Sequence, residues 1–459
     1  MDSYDLIVIG SGQGGGPLCS AFAAAGKKAL LVERRHVGGT CINEGCSPTK
    51  TMVASARVAY LARRAADFGV HAGAIGIDMR RVWQRKQDIV DSFRDGSQRR
   101  IEESGVELVF GTASFTGPKT IHVALNGGGE REATAPHIVI DTGGRPAALK
   151  LPGMETVNAL DSTSVMELEE VPEHLIVAGG GYIGLEFGQL SRRLGSQVTV
   201  VQRGNQLLNR EDADVAEEVR KVLVEDGVDV LLETELVRVA SQNGGIAVTV
   251  SCAGQERTVH GSHLLNAVGR TPNTEELNLA AVGVEITEHG HVPVNERLET
   301  NVPGIYALGD VNGGPQFTHI SYDDFRILRG NLLEGKQLTT KDRLVPYVVF
   351  IDPELGRVGL TEEDARKQGI EIRVASMPMS SVARALEMDE PRGLMKAVVA
   401  ASSGQLLGCS ILGVFAGEMM SLFSVAMMGK LPYTVLQDGI FAHPTLAEAF
   451  NNLFGNFKS

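Results

Sequence analysis

DLIVIGSGQGGGPLCSAFAAAGKKALLVERR, residues 5–35, has a counterpart in HLIVAGGGYIGLEFGQLSRRLGSQVTVVQRG, residues 174–204. The two align without a gap. Each runs through an apolar strand, a glycine-rich loop, an amphipathic helix, a glycine and a second apolar strand. The loops read Gly10-x-Gly12-x-x-Gly15 and Gly179-x-Gly181-x-x-Gly184. Alone, such a loop is a weak signal. Set between a strand and a helix inside a βαβ unit, it brings backbone N–H groups and a helix N-terminus against a pyrophosphate. The chain is therefore expected to carry two Rossmann-like domains and to bind two dinucleotides.

The two copies differ at the end of the second strand. Glu33 stands where a carboxylate accepts a hydrogen bond from a ribose hydroxyl, and the same spacing in the second copy reaches Gln202, followed by Arg203. A missing carboxylate beside a guanidinium suits a ribose 2′-phosphate, with Arg210 in support. This favours NADPH at the second site, NADH being the alternative. The returns VIDTGGRP (residues 139–146) and LLNAVGRTPN (residues 264–273) close the two nucleotide units. They bring Thr142 and Gly143 to the first and Gly269 to the second. Helical periodicity covers residues 48–69 and 80–105, and residues 106–115 read as a strand. From about Arg343 the style changes to short strands and helices. The expected division is a dinucleotide domain over 1–148, a second over 149–268, a return to the first over 269–342, and an α+β domain over 343–459.

Composition narrows the partners. A net charge of −13 disfavours nucleic acid and anionic membrane surfaces. The N-terminus enters a strand at once without a basic, apolar leader, and the apolar region 411–436 is interrupted by Glu418, Lys430 and Pro432. A cytoplasmic enzyme is expected. Five cysteines make no disulfide scaffold in a chain of 459 residues. Cys19, Cys252 and Cys409 read as ordinary thiols.

Cys41 and Cys46, in GGTCINEGCSPTK (residues 38–50), are different. No Cys or His at metal-ligand spacing lies near them, so no metal site is expected. A disulfide requires Cα atoms within about 6.8 Å, whereas five residues of helix rise about 7.5 Å. A bridge would have to distort the chain, with Gly45 the soft point, and a strained bridge is a readily reduced one. A dithiol needs a mediator to take electrons from a nicotinamide, and FAD at the first dinucleotide site would supply it.

These residues resemble the pyridine nucleotide–disulfide oxidoreductases, the family of glutathione reductase, dihydrolipoyl dehydrogenase and mercuric reductase. The motif G-G-T-C-x-N-x-G-C-x-P-x-K and the resemblance over the whole chain carry this. The resemblance implies that Cys41 is the interchange thiol and Cys46 the charge-transfer thiol against the flavin, with Gly39 and Thr40 at the cofactor. It implies Lys50 near the flavin, paired with Glu186, Tyr182 as a gate over the nicotinamide pocket, and Asp310 at the FAD ribitol. FAHPTLAE (residues 441–448) matches the family's H-P-T-x-x-E. His443 would then be an acid/base delivered across a homodimer interface, oriented by Glu448. His319, His260 and His263 have no such support.

CINEGCSPTK and GGPQFTHISYDDFRI (residues 313–327) resemble the mercuric-reductase-like branch, which includes reactive-chlorine-resistance flavoproteins. No cysteine follows Cys409, which disfavours efficient mercury handling, and His443 with Glu448 points toward a thiol or disulfide substrate. Three functions stay open: a reductase of a metal ion or small disulfide, a dihydrolipoyl dehydrogenase of a multienzyme complex, and a flavin-bound redox sensor. Gln202 and Arg203 disfavour the second, and an intact proton donor disfavours the third.

Overall fold

The computed structural model describes residues 1–458. Its chain divides into two compact units. The first comprises Met1–Thr51, Trp83–Ala147 and Gly269–Arg343; the second comprises Met52–Val82, Ala148–Val268 and everything from Leu344 onward.

In the first unit, Leu6–Ile9 pairs in parallel with Ala29–Glu33 on one side and His137–Ile140 on the other, and Ile305–Ala307 extends the sheet. These Val, Ile and Leu runs are buried on both faces, as parallel strands covered by helices must be. Glu107–Gly117 begins parallel to Ala29–Glu33 and continues into an antiparallel meander with Thr120–Leu125 and Glu130–Thr134. Helix Gly15–Ala24 follows the first glycine loop and buries Leu18, Cys19 and Phe22.

The second unit repeats the plan. His174–Ala178 lies between Gln197–Val201 and His263–Asn266, all parallel. Even the register recurs: Leu6 faces Ala29, and Leu175 faces Val198 at the corresponding place. Gly10 N donates to Val32 O at 2.8 Å, and Gly179 N donates to Val201 O at 2.9 Å. The repeat seen in the letters is thus a repeat in hydrogen bonds.

The C-terminal part is a five-stranded antiparallel sheet. Its strands, in spatial order, are Tyr347–Val349, Glu354–Gly359, Leu406–Gly413, Leu394–Ala400 and Ile372–Pro378, with helix Ala416–Met428 packed on it. That helix buries Met419, Met420 and Phe423 while Leu422, Val425 and Met428 stay exposed. No described helix is long and apolar enough to cross a membrane.

Two features depart from the division expected from sequence. Residues 52–82 pack with the second unit, and residues 148–268 share a core with the segment from Leu344. Met52, Ala56, Ala59 and Met79 join Leu185, Phe187, Val198, Ile351 and Leu355 in one apolar cluster. The cause is helix Cys46–Arg63, which is continuous past the first unit's last residue there and spends its later turns on that cluster.

A buried ionic knot fixes the same region. Arg193 is paired with Asp226 at 2.9 Å and also with Asp352, which Arg57 reaches as well. Gln189 brackets the Asp352 backbone, accepting from its N at 2.7 Å and donating to its O at 2.8 Å. Arg193 lies 3.8 Å over the Tyr60 ring. The far ends of the helices that begin at Cys46 and at Tyr182 are thereby held to one aspartate. Such ions stay buried because every one of them is paired.

Candidate active site

Cys41 sits in the short helix Gly39–Asn43, and Cys46 opens the helix Cys46–Arg63. Glu44 and Gly45 separate them. A Cβ on Gly45 would lie 2.9 Å from the Thr40 carbonyl, so the break that brings the thiols together needs a residue without a side chain. The two side chains are hydrogen-bonded to each other, and all five cysteines are thiols in this structure. That bond, with burial and the proximity of the Cys46 charge, pushes the Cys41 thiol well up; the Thr318 hydroxyl and the Lys50 charge oppose it more weakly. Cys41 is therefore the thiol that holds its proton.

Cys46 is favoured as the thiolate by its position. It stands at the positive end of its own 18-residue helix, and its sulfur lies 3.4 Å from the hydroxyl of Thr318, the first residue of helix Thr318–Leu333. Sequence reading passed over Thr318, because no local pattern marks a contact 272 residues away. Thr318→Val is expected to raise the Cys46 thiol pKa by about one unit. Hydrogen bonds to charged groups contribute about 1.5–3 kcal/mol, and one pKa unit is about 1.4 kcal/mol. The pH dependence of alkylation at Cys46 measures this; an unchanged profile removes Thr318 from the account.

The first glycine loop forms a tight cradle. Gly10 has φ 100°, and a Cβ there would lie 2.2 Å from the Asp141 carbonyl. Gly39, with φ 59°, approaches Gly12 so closely that its Cβ would be 2.9 Å from the Gly12 Cα. At its glycines the loop can present only backbone. Glu33 braces it, accepting from Ser11 N at 3.0 Å and from the Ser11 hydroxyl at 2.5 Å. Thr142 and Gly143 are tied to Asn273, by the Thr142 hydroxyl to Asn273 O at 2.7 Å and Asn273 N to Gly143 O at 3.0 Å. Asp310 is the second residue of the turn Gly309–Asn312, with Arg270 at 3.9 Å, and burial raises its carboxyl pKa against the pull of that guanidinium and His291. A glycine-rich loop with a bracing carboxylate fits a dinucleotide pyrophosphate and ribose, as FAD requires.

The second cradle follows the first with one substitution of chemistry. Gly179 has φ 113° and Gly181 caps helix Tyr182–Leu194, while a Cβ on Gly184 would lie 2.1 Å from the Gly179 carbonyl. Gly269, with φ 143°, has open space where its Cβ would be. Gln202 occupies the Glu33 position in geometry as well as in sequence: its Oε1 accepts from Gly180 N at 3.0 Å, while its Nε2 donates to Gln206 O at 3.1 Å. Arg203, which follows it in the chain, and Arg210 are exposed. Tyr182 is 37% exposed at the first position of its helix, and Glu186, buried one turn on, accepts from Phe350 N at 2.8 Å.

His443 and Glu448 meet: Nδ1 lies 2.9 and 3.0 Å from the two carboxylate oxygens. The carboxylate fixes the ring through Nδ1 and leaves Nε2 to work. The His443 side chain is 69% exposed, and Pro444 and Leu446 line a neighbouring groove with Phe415, Met419 and Leu422. Val425, Met428, Val435 and Ile440 are also exposed. Cys19 and Cys409 are buried and Cys252 is exposed. Among the described residues there is no group of three or more His, Cys, Asp or Glu side chains that could hold a metal ion.

Residues 4–324 match the family described as pyridine nucleotide-disulphide oxidoreductase, and residues 345–454 match that family's dimerisation domain. The probable pyridine nucleotide-disulfide oxidoreductase RclA of Escherichia coli is 36% identical over the full length of both chains. Its structure, described as the Cu(II) complex of an HOCl-induced flavoprotein disulfide reductase, covers 99% of each chain with a TM-score of 0.90. Mercuric reductase of Staphylococcus aureus is 36% identical over 97% of this chain and 81% of its own. Dihydrolipoyl dehydrogenase of Thermus scotoductus is 37% identical over 98% of this chain and 96% of its own.

Proposed function

Because the chain belongs to the pyridine nucleotide-disulphide oxidoreductases, we propose that it is an NADPH-dependent reductase that delivers electrons from Cys41 to a metal ion such as Cu(II). The family's flavoproteins use FAD and a pyridine nucleotide, and the dimerisation domain implies a homodimer. One observation carries the reading: a half-buried thiol, Cys41, lies against a second thiol, Cys46, that stands at a helix N-terminus beside the Thr318 hydroxyl. Thiolates are the soft ligands that reducible copper prefers. The relative crystallised with Cu(II) supports the choice of metal.

FAD in the first cradle would supply two-electron transfer between a nicotinamide and the Cys41–Cys46 pair. Gly10, Gly12, Gly15, Gly39, Thr40, Glu33, Thr142, Gly143 and Asp310 would hold it. Gly179, Gly181, Tyr182, Gly184, Gln202, Arg203 and Gly269 would hold the nicotinamide dinucleotide. Lys50 lies one helical turn after Cys46, where the family resemblance gives its amine a role near the flavin. The chain's own step balances: a dithiol closing to a disulfide yields two electrons and two protons, enough for two Cu(II) to become two Cu(I). The His443–Glu448 pair favours a second acceptor class, small disulfides, because a departing thiolate has to be protonated.

Steady-state assays with NADPH or NADH against Cu(II), Hg(II), glutathione disulfide and lipoamide test this. Cu(II) reduction with NADPH that requires both cysteines is expected. Faster turnover of lipoamide with NADH would overturn the assignment in favour of a dihydrolipoyl dehydrogenase. Arg203→Glu should shift the preference toward NADH by about 10–100-fold, since a bound 2′-phosphate would lose a charge-assisted partner and gain a repelling carboxylate. An unchanged ratio of the two kcat/KM values places the 2′-phosphate elsewhere.

A further inference from the structure

The internal repeat supplies its own control. Asp141 N donates to Ile9 O at 2.8 Å in the first dinucleotide fold, and Ala267 N donates to Ala178 O at 2.9 Å in the second. The two residues end equivalent strands. Gly10 packs on the Asp141 carbonyl as Gly179 packs on that of Ala267. The second cradle has a methyl group at this place and the first has a carboxyl. The fold therefore does not require an acid there.

Asp141 is 6% exposed, and its carboxyl lies directly beneath the glycine loop. Added Cβ atoms on Gly12 and Gly15 would meet its oxygens at 2.7 and 2.6 Å, and one on Gly309 would approach within 3.4 Å. Its hydrogen bond comes from Gly15 N at 2.9 Å, at the start of helix Gly15–Ala24. The charged groups facing it from the surrounding elements are Asp310 from the turn after Ile305–Ala307, Glu33 from the end of Ala29–Glu33, and Asp324 from helix Thr318–Leu333. All are acids, and the nearby cations are committed to them: Arg343 pairs with Asp324 at 2.5 Å and Arg270 approaches Asp310 at 3.9 Å. Burial and these neighbours outweigh the Gly15 bond and hold Asp141 well above the usual carboxylate range.

We propose that Asp141 is a neutral carboxylic acid in the flavoprotein, and that its proton is what allows the first glycine loop to accept a dinucleotide pyrophosphate. As an acid it is a positioning residue: one oxygen fastens the helix N-terminus to the return strand, and the protonated carboxyl adds no charge beneath the phosphates. As an anion it would compete with the pyrophosphate for the same helix end and repel it across the loop. Loss of the proton to solvent at high pH should therefore loosen the cofactor. The second cradle, with Ala267, should show no such dependence.

The inference rests on the first cradle being the FAD site, and the two can fail separately. A colourless, folded protein defeats the site assignment; a yellow protein with an ionised Asp141 defeats only the inference. Infrared difference spectra of holoenzyme and Asp141→Asn at neutral pH should show a protonated carboxylic acid C=O band lost in the variant. The FAD dissociation constant, followed by flavin fluorescence, should rise with pH in the parent protein, by up to about tenfold per unit between the pKa values of Asp141 in the free and the loaded protein, and then level off, as linkage to one proton demands. It should stay flat in Asp141→Asn, which keeps the shape and a donor, and in Asp141→Ala, which installs the residue of the second cradle. Loss of carboxylate bands instead of the acid band overturns the proposal, as do parallel pH profiles for the parent and both variants.

Discussion

Cys41→Ser is expected to leave the flavin reducible by NADPH while cutting turnover with Cu(II) or any disulfide by at least about 10⁴-fold. Removing a nucleophile that acts as one unit with its neighbours costs that much or more. The argument runs from the asymmetry of the pair. Cys46 stands at a helix N-terminus against the Thr318 hydroxyl, so its role is fixed by its surroundings and survives the substitution. Cys41 keeps its proton beside the Cys46 sulfur and is the thiol left to meet an acceptor. A serine hydroxyl there can neither close a disulfide nor bind a soft metal. The electron pair should enter and find no exit. Because Cys46 can no longer be tied up by Cys41, its thiolate should persist in the oxidised protein and give a long-wavelength absorbance beside the flavin. Titrating that absorbance reports the Cys46 pKa, and the double variant Cys41→Ser, Thr318→Val should shift it upward. Cys46→Ser should abolish the absorbance. The opposite pattern, with the band lost in Cys41→Ser and kept in Cys46→Ser, would exchange the two roles.

Much of this was legible in the letters because it is local or repeated. The two βαβ units share a spacing, and the structure returns the same register and the same glycine-to-strand hydrogen bonds. The helical break at Glu44–Gly45 follows from the reach of a disulfide against the rise of a helix, and the fold makes it there. What escaped was long-range. Thr318 meets Cys46 across 272 positions, and Asp141 meets Gly15 across 126. Neither has a periodic signature. The Asp141 signal was present all the same: aligning VIDTGG with LNAVGR sets an acid against Ala267, a contrast as telling as Glu33 against Gln202. The placement of residues 52–82 escaped for another reason. A helix can pass from one core to another without a break in its periodicity, and Cys46–Arg63 does so.

His443→Ala carries the second large effect, about 10²–10⁴-fold on the reduction of small disulfides, the range of a positioned acid/base. The expulsion of a thiolate from a mixed disulfide needs a proton at that moment, and the His443 ring is oriented by Glu448 to give it through Nε2. Cu(II) reduction has no thiolate leaving group and should suffer far less, so the ratio of the two losses separates the acceptor classes. The location of His443 makes a second demand. It is exposed beside an apolar face that includes Phe415, Met419 and Leu422, in the segment matching the dimerisation domain. If that face is the two-fold contact, the ring serves the thiols of the partner subunit. An equal mixture of His443→Ala and Cys41→Ser subunits would then restore about a quarter of the parent activity. Half of the randomly formed dimers would be mixed, and each would hold one intact site of two. Complete exchange of subunits, shown by mass labelling, without any recovery would return His443 to its own chain.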